Sequence, residues 1–117
     1  MSFERFTVVR VPFPFTDRNA TKNRPALVLS AANCFNTPSG HSVMAMITSA
    51  DNTPWPLDCA IGDLEAAGLP APSVVRFKLF TLDHRLVRGA LGALASGDAN
   101  AVADQLRQLF SQPGPRE

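Results

Sequence analysis

The residues best suited to do chemistry are an arginine and a threonine, each at the end of a predicted strand. Arg24 precedes Pro25, and a residue before proline is held extended, so its guanidinium enters the next strand from a fixed position. A guanidinium fork matches the oxygens of a phosphate. Thr48 is the last position before Ser49-Ala50-Asp51-Asn52 interrupts a strand, which leaves a hydroxyl at the strand tip. Arg24 therefore indicates a phosphate-binding site, and Thr48 offers a hydrogen-bond donor.

Both side chains also have an ordinary structural interpretation, and it stays open at this point. Arg24 would then be a surface arginine that pairs with Asp17 or Asp51. Thr48 would be one of the many β-branched strand residues, with its hydroxyl bonded to backbone. The types and spacing alone do not decide between the two interpretations.

A second cationic feature lies on the alternating stretch over residues 73–79. The period of two predicts a strand whose inward residues include Phe77 and Leu79. Arg76 and Lys78 would then face outward, about 7 Å apart. This face either follows an anionic backbone or is merely solvated.

Short strands and one terminal helix are the elements that must position these residues. The strand candidates cover residues 7–15, 25–31, 42–48, 55–61, 73–79 and 86–94. Residues 25–31 and 42–48 are apolar on both faces, as in the central strands of a small closed sheet. From Asp98, a plausible N-cap, the apolar spacing becomes that of an amphipathic helix. We therefore predict a mainly β fold, a small barrel with a C-terminal α-helix.

Composition favours one globular domain over residues 1–117, in which we expect 113–117 to be a flexible tail. The chain has 117 residues, 45% of them hydrophobic and 18% charged, and a net charge of +1. It has no apolar run of about 18 residues and its N-terminus MSFERF does not resemble a secretory signal. We expect a cytoplasmic protein, in which Cys34 and Cys59 are reduced.

Four segments, taken in order, resemble the PemK/MazF family of toxins from type II toxin–antitoxin systems. They are VPFPFTD, NRPALVLS, the strand that ends in ITS, and GLPAPSVVRFKLFTLD. The resemblance covers residues 7–110. It implies an SH3-like barrel that forms a homodimer and cuts single-stranded RNA, usually mRNA, at short sequences without metal or cofactor. It also implies a cognate antitoxin whose disordered tail lies across the RNA groove.

The resemblance assigns the cleavage site to Arg24 and Thr48 by their matching motifs. Metal-free cleavage uses the ribose 2′-OH as the nucleophile, so the protein must stabilise a charged phosphorane, for which a guanidinium and a hydroxyl are suited. Further residues are expected to bind RNA, and for Thr16 and Asp17 a role in shaping their loop stays open as the alternative. They are Thr16, Asp17, Lys22, Ser49, Arg76 and Lys78.

One departure from the family pattern concerns the proton acceptor. Some relatives have an acidic residue where this chain has Lys78. Either Arg24 with Thr48 and a water moves the protons, or Asp51 substitutes, or activity is low. The alternative functions are a non-catalytic module that binds RNA or antitoxin, and a gyrase poison on the same barrel. The second lacks support because the chain ends in PGPRE, where such poisons carry Trp-Gly-Ile.

Other aromatic and metal-binding residue types have plainer interpretations. The phenylalanines of PFPF and Trp55 are expected to pack in the core rather than to stack on bases. His41 and His84 lie in predicted turns and are expected at the surface. The carboxylates are scattered and neither histidine has ligand spacing, so no metal site is expected.

Overall fold

Antiparallel strands form one curled sheet in the computed structural model, which describes residues 3–13 and 22–112. The strands are β1 (Thr7–Phe13), β2 (Lys22–Val28), β3 (His41–Ser49), β4 (Cys59–Ala60), β5 (Ser73–Asp83) and β6 (Gly89–Ala93). Their order across the sheet is β4-β5-β3-β2-β1-β6. The prediction of a mainly β barrel is confirmed. The expected tail, residues 113–117, lies outside the described residues.

Helical segments fill the connections and end the chain. They are a π-helical turn (Ala32–Asn36), α1 (Thr37–Ser39), α2 (Leu64–Ala67), a 3-10 turn (His84–Leu86) and α3 (Ser96–Leu109). None of these helices in the described part of the chain is both long enough and apolar enough to cross a membrane.

The predicted C-terminal helix is present, but its start was wrongly assigned to Asp98. Ala95 is the N-cap of α3. The Asp98 carboxylate instead accepts hydrogen bonds from the backbone N–H groups of Gly62 and Asp63, each at 2.9 Å. It therefore ties α3 to the turn before α2, a long-range role that local sequence does not reveal.

The central strands are buried on both faces, as predicted, because the sheet has a packed layer on each side. Leu27 and Ile47 belong to a cluster that includes Val102 of α3. Ala26 and Met44 belong to a second cluster on the opposite face. Full burial of each large apolar side chain contributes roughly 1.5–3 kcal/mol, so these two layers hold β2 and β3 in fixed register.

A two-residue insertion in β5 changes what its side chains meet. The pairing with β3 shifts between Ala45 and Met46, whose partners are Leu79 and Arg76. Leu79, expected to face the core, lies past the insertion and is 36% exposed, so that expectation was wrong. Arg76, expected to face solvent, is only 9% exposed.

Candidate active site

Arg24 and Thr48 lie at the same end of two neighbouring strands. Ala26 pairs with Met46 in the register of β2 and β3. Arg24 lies two residues before Ala26, and Thr48 lies two residues after Met46. Because the strands are antiparallel, both positions lie toward the same end of the pair. They share a face because side chains alternate along a strand. The register therefore directs both residues to one place, although they are 24 positions apart in the sequence.

These two residues line one cleft with a volume of about 220 Å³. Arg24 and Pro25 form one side, residues 47–49 form the end of β3, and residues 69–73 close the other side. Much of the wall is apolar, with a guanidinium on one side and hydroxyls on the other. Such a cleft can hold an anionic group between a cation and neutral donors.

The surroundings of the Arg24 guanidinium contain no carboxylate partner among the described residues. Arg24 is exposed, and no described carboxylate forms an ion pair with it. The alternative partner Asp51 belongs to the described residues and does not pair with it, whereas Asp17 lies outside them. A charge without a carboxylate partner keeps its full attraction for a phosphate.

The hydroxyl of Thr48 accepts a hydrogen bond that the sequence did not reveal. Asn52 donates from Nδ2 to Oγ1 of Thr48 at 2.6 Å, across the turn that ends β3. An oxygen that accepts from Asn52 still has its own proton to donate elsewhere. Asn52 therefore orients the Thr48 hydroxyl as a donor. The only indication of this in the sequence is that Asn52 lies in a tight polar turn directly after the strand.

The remaining loop candidates divide between the cleft and its surroundings. Ser49 lines the cleft and accepts from the backbone N–H of Asp51 at 3.1 Å, so its hydroxyl also keeps a proton. Lys22 begins β2 and is exposed. Thr16 and Asp17 lie outside the described residues.

Arg76 is held in an ion pair rather than on a solvated face. Its guanidinium donates to the two carboxylate oxygens of Asp58 at 3.2 and 2.9 Å and to the carbonyl of Thr53 at 2.7 Å. The side chains of Arg76 and Asp58 are 11% and 17% exposed. The expectation of a free outward arginine was therefore wrong, because the loop between β3 and β4 covers this part of the face.

The Arg76–Asp58 pair shifts the pKa of both groups. Burial by itself would raise the pKa of Asp58, but the hydrogen bonds from Arg76 and from the backbone of Trp55 outweigh it, so that pKa lies below its usual value. The hydrogen bond to Asp58 raises the pKa of Arg76. Both groups are charged at neutral pH, and the fork of Arg76 is already occupied.

Trp55 is exposed at the surface beside this pair, so the expectation that it packs in the core was wrong. The residue is 41% exposed. The Lys78 ammonium lies 4.6 Å from the centre of the indole ring, and the Arg76 guanidinium carbon lies 5.9 Å from it. These are cation–π distances. Lys78 is exposed, as expected, but it is directed to an aromatic ring.

The two histidines differ in burial. His84, expected at the surface, is 7% exposed and its Nε2 lies 2.7 Å from the Ser42 hydroxyl. His41 is only half-buried, 3.9 Å from Asp83. Hydrogen bonds from Arg85 hold the pKa of Asp83 well below its usual range. Neither histidine lines the cleft of Arg24 and Thr48.

Metal-binding residue types are dispersed in the part of the chain that the structure describes. Residues 3–13 and 22–112 contain no group of three or more His, Cys, Asp or Glu that could hold a metal ion. Cys34 is exposed and Cys59 is buried, and both are free thiols. Burial, followed by the charges of Asp58 and Asp98, raises the pKa of Cys59, which keeps that thiol protonated.

Comparisons with known proteins agree with this fold. A family model described as PemK-like, MazF-like toxin of type II toxin-antitoxin system matches residues 4–110. A mycobacterial endoribonuclease in complex with its cognate antitoxin superposes with a TM-score of 0.76 at 20% identity, over 97% of this chain and 100% of that chain. A MazE-MazF complex from Deinococcus radiodurans has a TM-score of 0.71 at 21% identity, over 97% and 99%. No curated protein sequence matched the chain.

Proposed function

Since the chain belongs to the PemK-like, MazF-like toxins of type II toxin–antitoxin systems, we propose that it is an endoribonuclease that cuts single-stranded RNA at short sequences. In the cell the substrate is mRNA. The observation that supports this most directly is the meeting of Arg24 and Thr48 in one cleft. A cation without a carboxylate partner among the described residues and a hydroxyl that keeps its proton suit a phosphate that gains charge during reaction.

In the proposed reaction the ribose 2′-oxygen attacks the adjacent phosphorus, and the bond from phosphorus to the 5′-oxygen breaks. The 2′-OH loses its proton and the departing 5′-oxygen gains one. The products are a 2′,3′-cyclic phosphate and a 5′-hydroxyl. Arg24 binds two non-bridging oxygens through its fork, and Thr48 donates a hydrogen bond to the same phosphoryl group. Both contacts strengthen as negative charge develops on the phosphorane.

The proton acceptor is Asp51 or a water at the same strand end. Lys78 occupies the position that is acidic in some relatives, and its ammonium lies over Trp55. Asp51 follows Thr48 by three residues, and its backbone N–H bonds to the Ser49 hydroxyl at 3.1 Å. This turn holds the Asp51 backbone beside the hydroxyl of Ser49, a residue that lines the cleft.

We propose two protein partners for this chain, an antitoxin and a second copy of itself. The solved neighbours include an endoribonuclease and a MazF, each in complex with its antitoxin. By analogy we assign this chain a cognate antitoxin, whose disordered tail covers the RNA cleft. We also assign it a homodimer in the cytoplasm. Exposed apolar side chains such as Phe35, Leu86 and Phe110 leave surface that a second copy can bury.

The competing function is a module that binds RNA or antitoxin without cutting. The observation that favours it is Lys78, since no acid stands at that position.

The test is to incubate the purified protein with a long end-labelled RNA, with and without EDTA, and to map the cut ends. We expect cuts at a short sequence, cyclic-phosphate ends, unchanged rates in EDTA, and no cleavage of DNA or of RNA that carries 2′-deoxyribose at the cut position. Loss of cleavage in EDTA would refute the metal-free mechanism. Binding without any cleavage would establish the non-catalytic module instead.

A further inference from the structure

The structure presents an exposed aromatic side chain, Trp55, on an anchored loop near the cleft. We propose that Trp55, with Lys78 beside it, is a binding site for a single nucleobase of the RNA strand. The base stacks on the exposed indole while the lysine neutralises a neighbouring phosphate. This inference rests on the proposed function and names how the strand is held next to the cut.

Hydrogen bonds fix the backbone of the loop that carries the indole. The backbone N–H of Trp55 donates to Oδ2 of Asp58 at 3.0 Å, and the N–H of Asp58 donates back to the Trp55 carbonyl at 3.1 Å. Arg76 anchors the same loop through Asp58 and Thr53. A loop that is held in place before binding loses little backbone entropy when a base stacks on its side chain.

The sheet register places this surface next to the cleft. Arg76 pairs with Met46, and two residues further along β3 Thr48 pairs with Val74. Two residues along a strand span about 7 Å, and residues at this spacing share a face. The backbone of Arg76, whose guanidinium carbon lies 5.9 Å from the ring centre, therefore stands one row of side chains from Thr48. An RNA strand that has one phosphate in the cleft brings a neighbouring base to the indole.

The chemistry of the site fits a nucleobase better than a purely apolar ligand. Base-on-aromatic stacking tolerates any base, because every base has a π-face. The Lys78 ammonium, 4.6 Å from the ring centre, adds a positive charge where the backbone passes. Positively charged grooves with aromatic platforms are the usual means of holding single-stranded nucleic acid.

Trp55 is the only tryptophan of the chain, so its fluorescence reports on this site alone. The probe is a 2′-O-methyl RNA that contains the mapped cut sequence and cannot be cleaved. We expect it to quench the emission, and we expect a series with one abasic residue at each position to lose the quenching at one position near the cut. No quenching by an RNA that binds would overturn the inference.

Substitutions supply an independent measurement. Trp55→Ala should weaken RNA binding by roughly 5- to 150-fold and raise KM with little change in kcat, and Trp55→Phe should restore most of the affinity. Lys78→Ala should reduce the slope of log affinity against log salt by about one. Arg107→Ala, at a large side chain that is 72% exposed on α3, is the control and should leave KM and kcat unchanged.

The outcomes separate this inference from the proposed function. Normal cleavage with an unchanged KM in Trp55→Ala would contradict the stacking site and leave the nuclease intact. Quenching by RNA without cleavage would contradict the nuclease and retain the stacking site. A protein that neither binds nor cuts RNA would overturn both.

Discussion

Two arginines on the same face of the sheet show how surroundings assign different tasks to one residue type. Arg24 is exposed at the start of β2 and pairs with no described carboxylate. Arg76 is 9% exposed and makes two hydrogen bonds to Asp58. We expect a guanidinium to bind a ligand where no described carboxylate pairs with it, and to act as a structural group where the fold supplies a carboxylate.

The largest expected effect lies at Arg24, which pairs with no described carboxylate. Arg24→Ala should lower the single-turnover rate of RNA cleavage by roughly a hundred- to a thousandfold, since one donor to a developing oxyanion is lost. Its free energy of unfolding should stay within about 0.5 kcal/mol of the parent, because the side chain is exposed. Cleavage is measured on end-labelled RNA and stability by urea unfolding. An unchanged rate would remove Arg24 from the mechanism.

The paired arginine should show the reverse pattern. Arg76→Ala leaves Asp58 as a largely buried carboxylate without its partner, so unfolding should become easier by about 3 kcal/mol, the low end for such pairs. The measurement is again urea unfolding. Arg107→Ala is the matched control, because its pair with Asp104 on α3 is exposed, and it should change stability by less than about 1 kcal/mol. Equal losses in the free energy of unfolding for Arg76→Ala and Arg107→Ala would show that burial does not make the Arg76 pair the stronger one.

A smaller effect on cleavage is expected at Asn52, because its side chain acts through the Thr48 hydroxyl. Asn52→Asp replaces a donor with an acceptor, so the Thr48 proton turns toward the new carboxylate and kcat should fall about tenfold or more. Asn52→Ala, which only removes the donor, should cost a few-fold. KM should hardly move in Asn52→Ala. If neither Asn52 substitution lowers kcat further in a Thr48→Val background, Asn52 acts through Thr48. A further fall in kcat would show that Asn52 acts independently of Thr48.

The smallest expected effect is a pH dependence of stability at the paired arginine. The folded pKa of Asp58 lies below the ordinary value of 3.8, so between the two values the unfolded chain binds more protons. The stabilisation is present above the ordinary value and is lost as the pH falls through the folded pKa. Comparing urea unfolding at about pH 6 and about pH 3, Asp58→Asn should lose less stability on acidification than the parent. A steeper loss in Asp58→Asn would contradict this assignment.

Local sequence was sufficient for the features that depend on neighbouring residues. The Arg24–Pro25 junction and the end of the strand at Thr48 are such features, and the structure brings both residues to one cleft. Apolar strands with no polar face predicted the central strands, because burial on both sides leaves that pattern. The role of these two residues in cleavage stays a prediction.

Long-range partners could not be read from the sequence. Asp58 lies 18 positions before Arg76 in a turn, and no local pattern indicates that the two meet. The two-residue insertion in β5 likewise depends on pairing with β3. Trp55 was expected in the core by residue type, but a loop held by Asp58 presents it to solvent. Each of these errors concerns which side chain covers which, and that is decided by tertiary packing.

The central claim is that Arg24 and Thr48 act on one phosphate, and a double-mutant cycle on the single-turnover cleavage rate tests it most directly. The variants are Arg24→Ala, Thr48→Val and the two combined, with each fold first checked by circular dichroism. Groups that act as a unit are strongly non-additive, so the double variant should cut about as slowly as the slower single variant. A rate loss equal to the product of the two single losses would contradict the account.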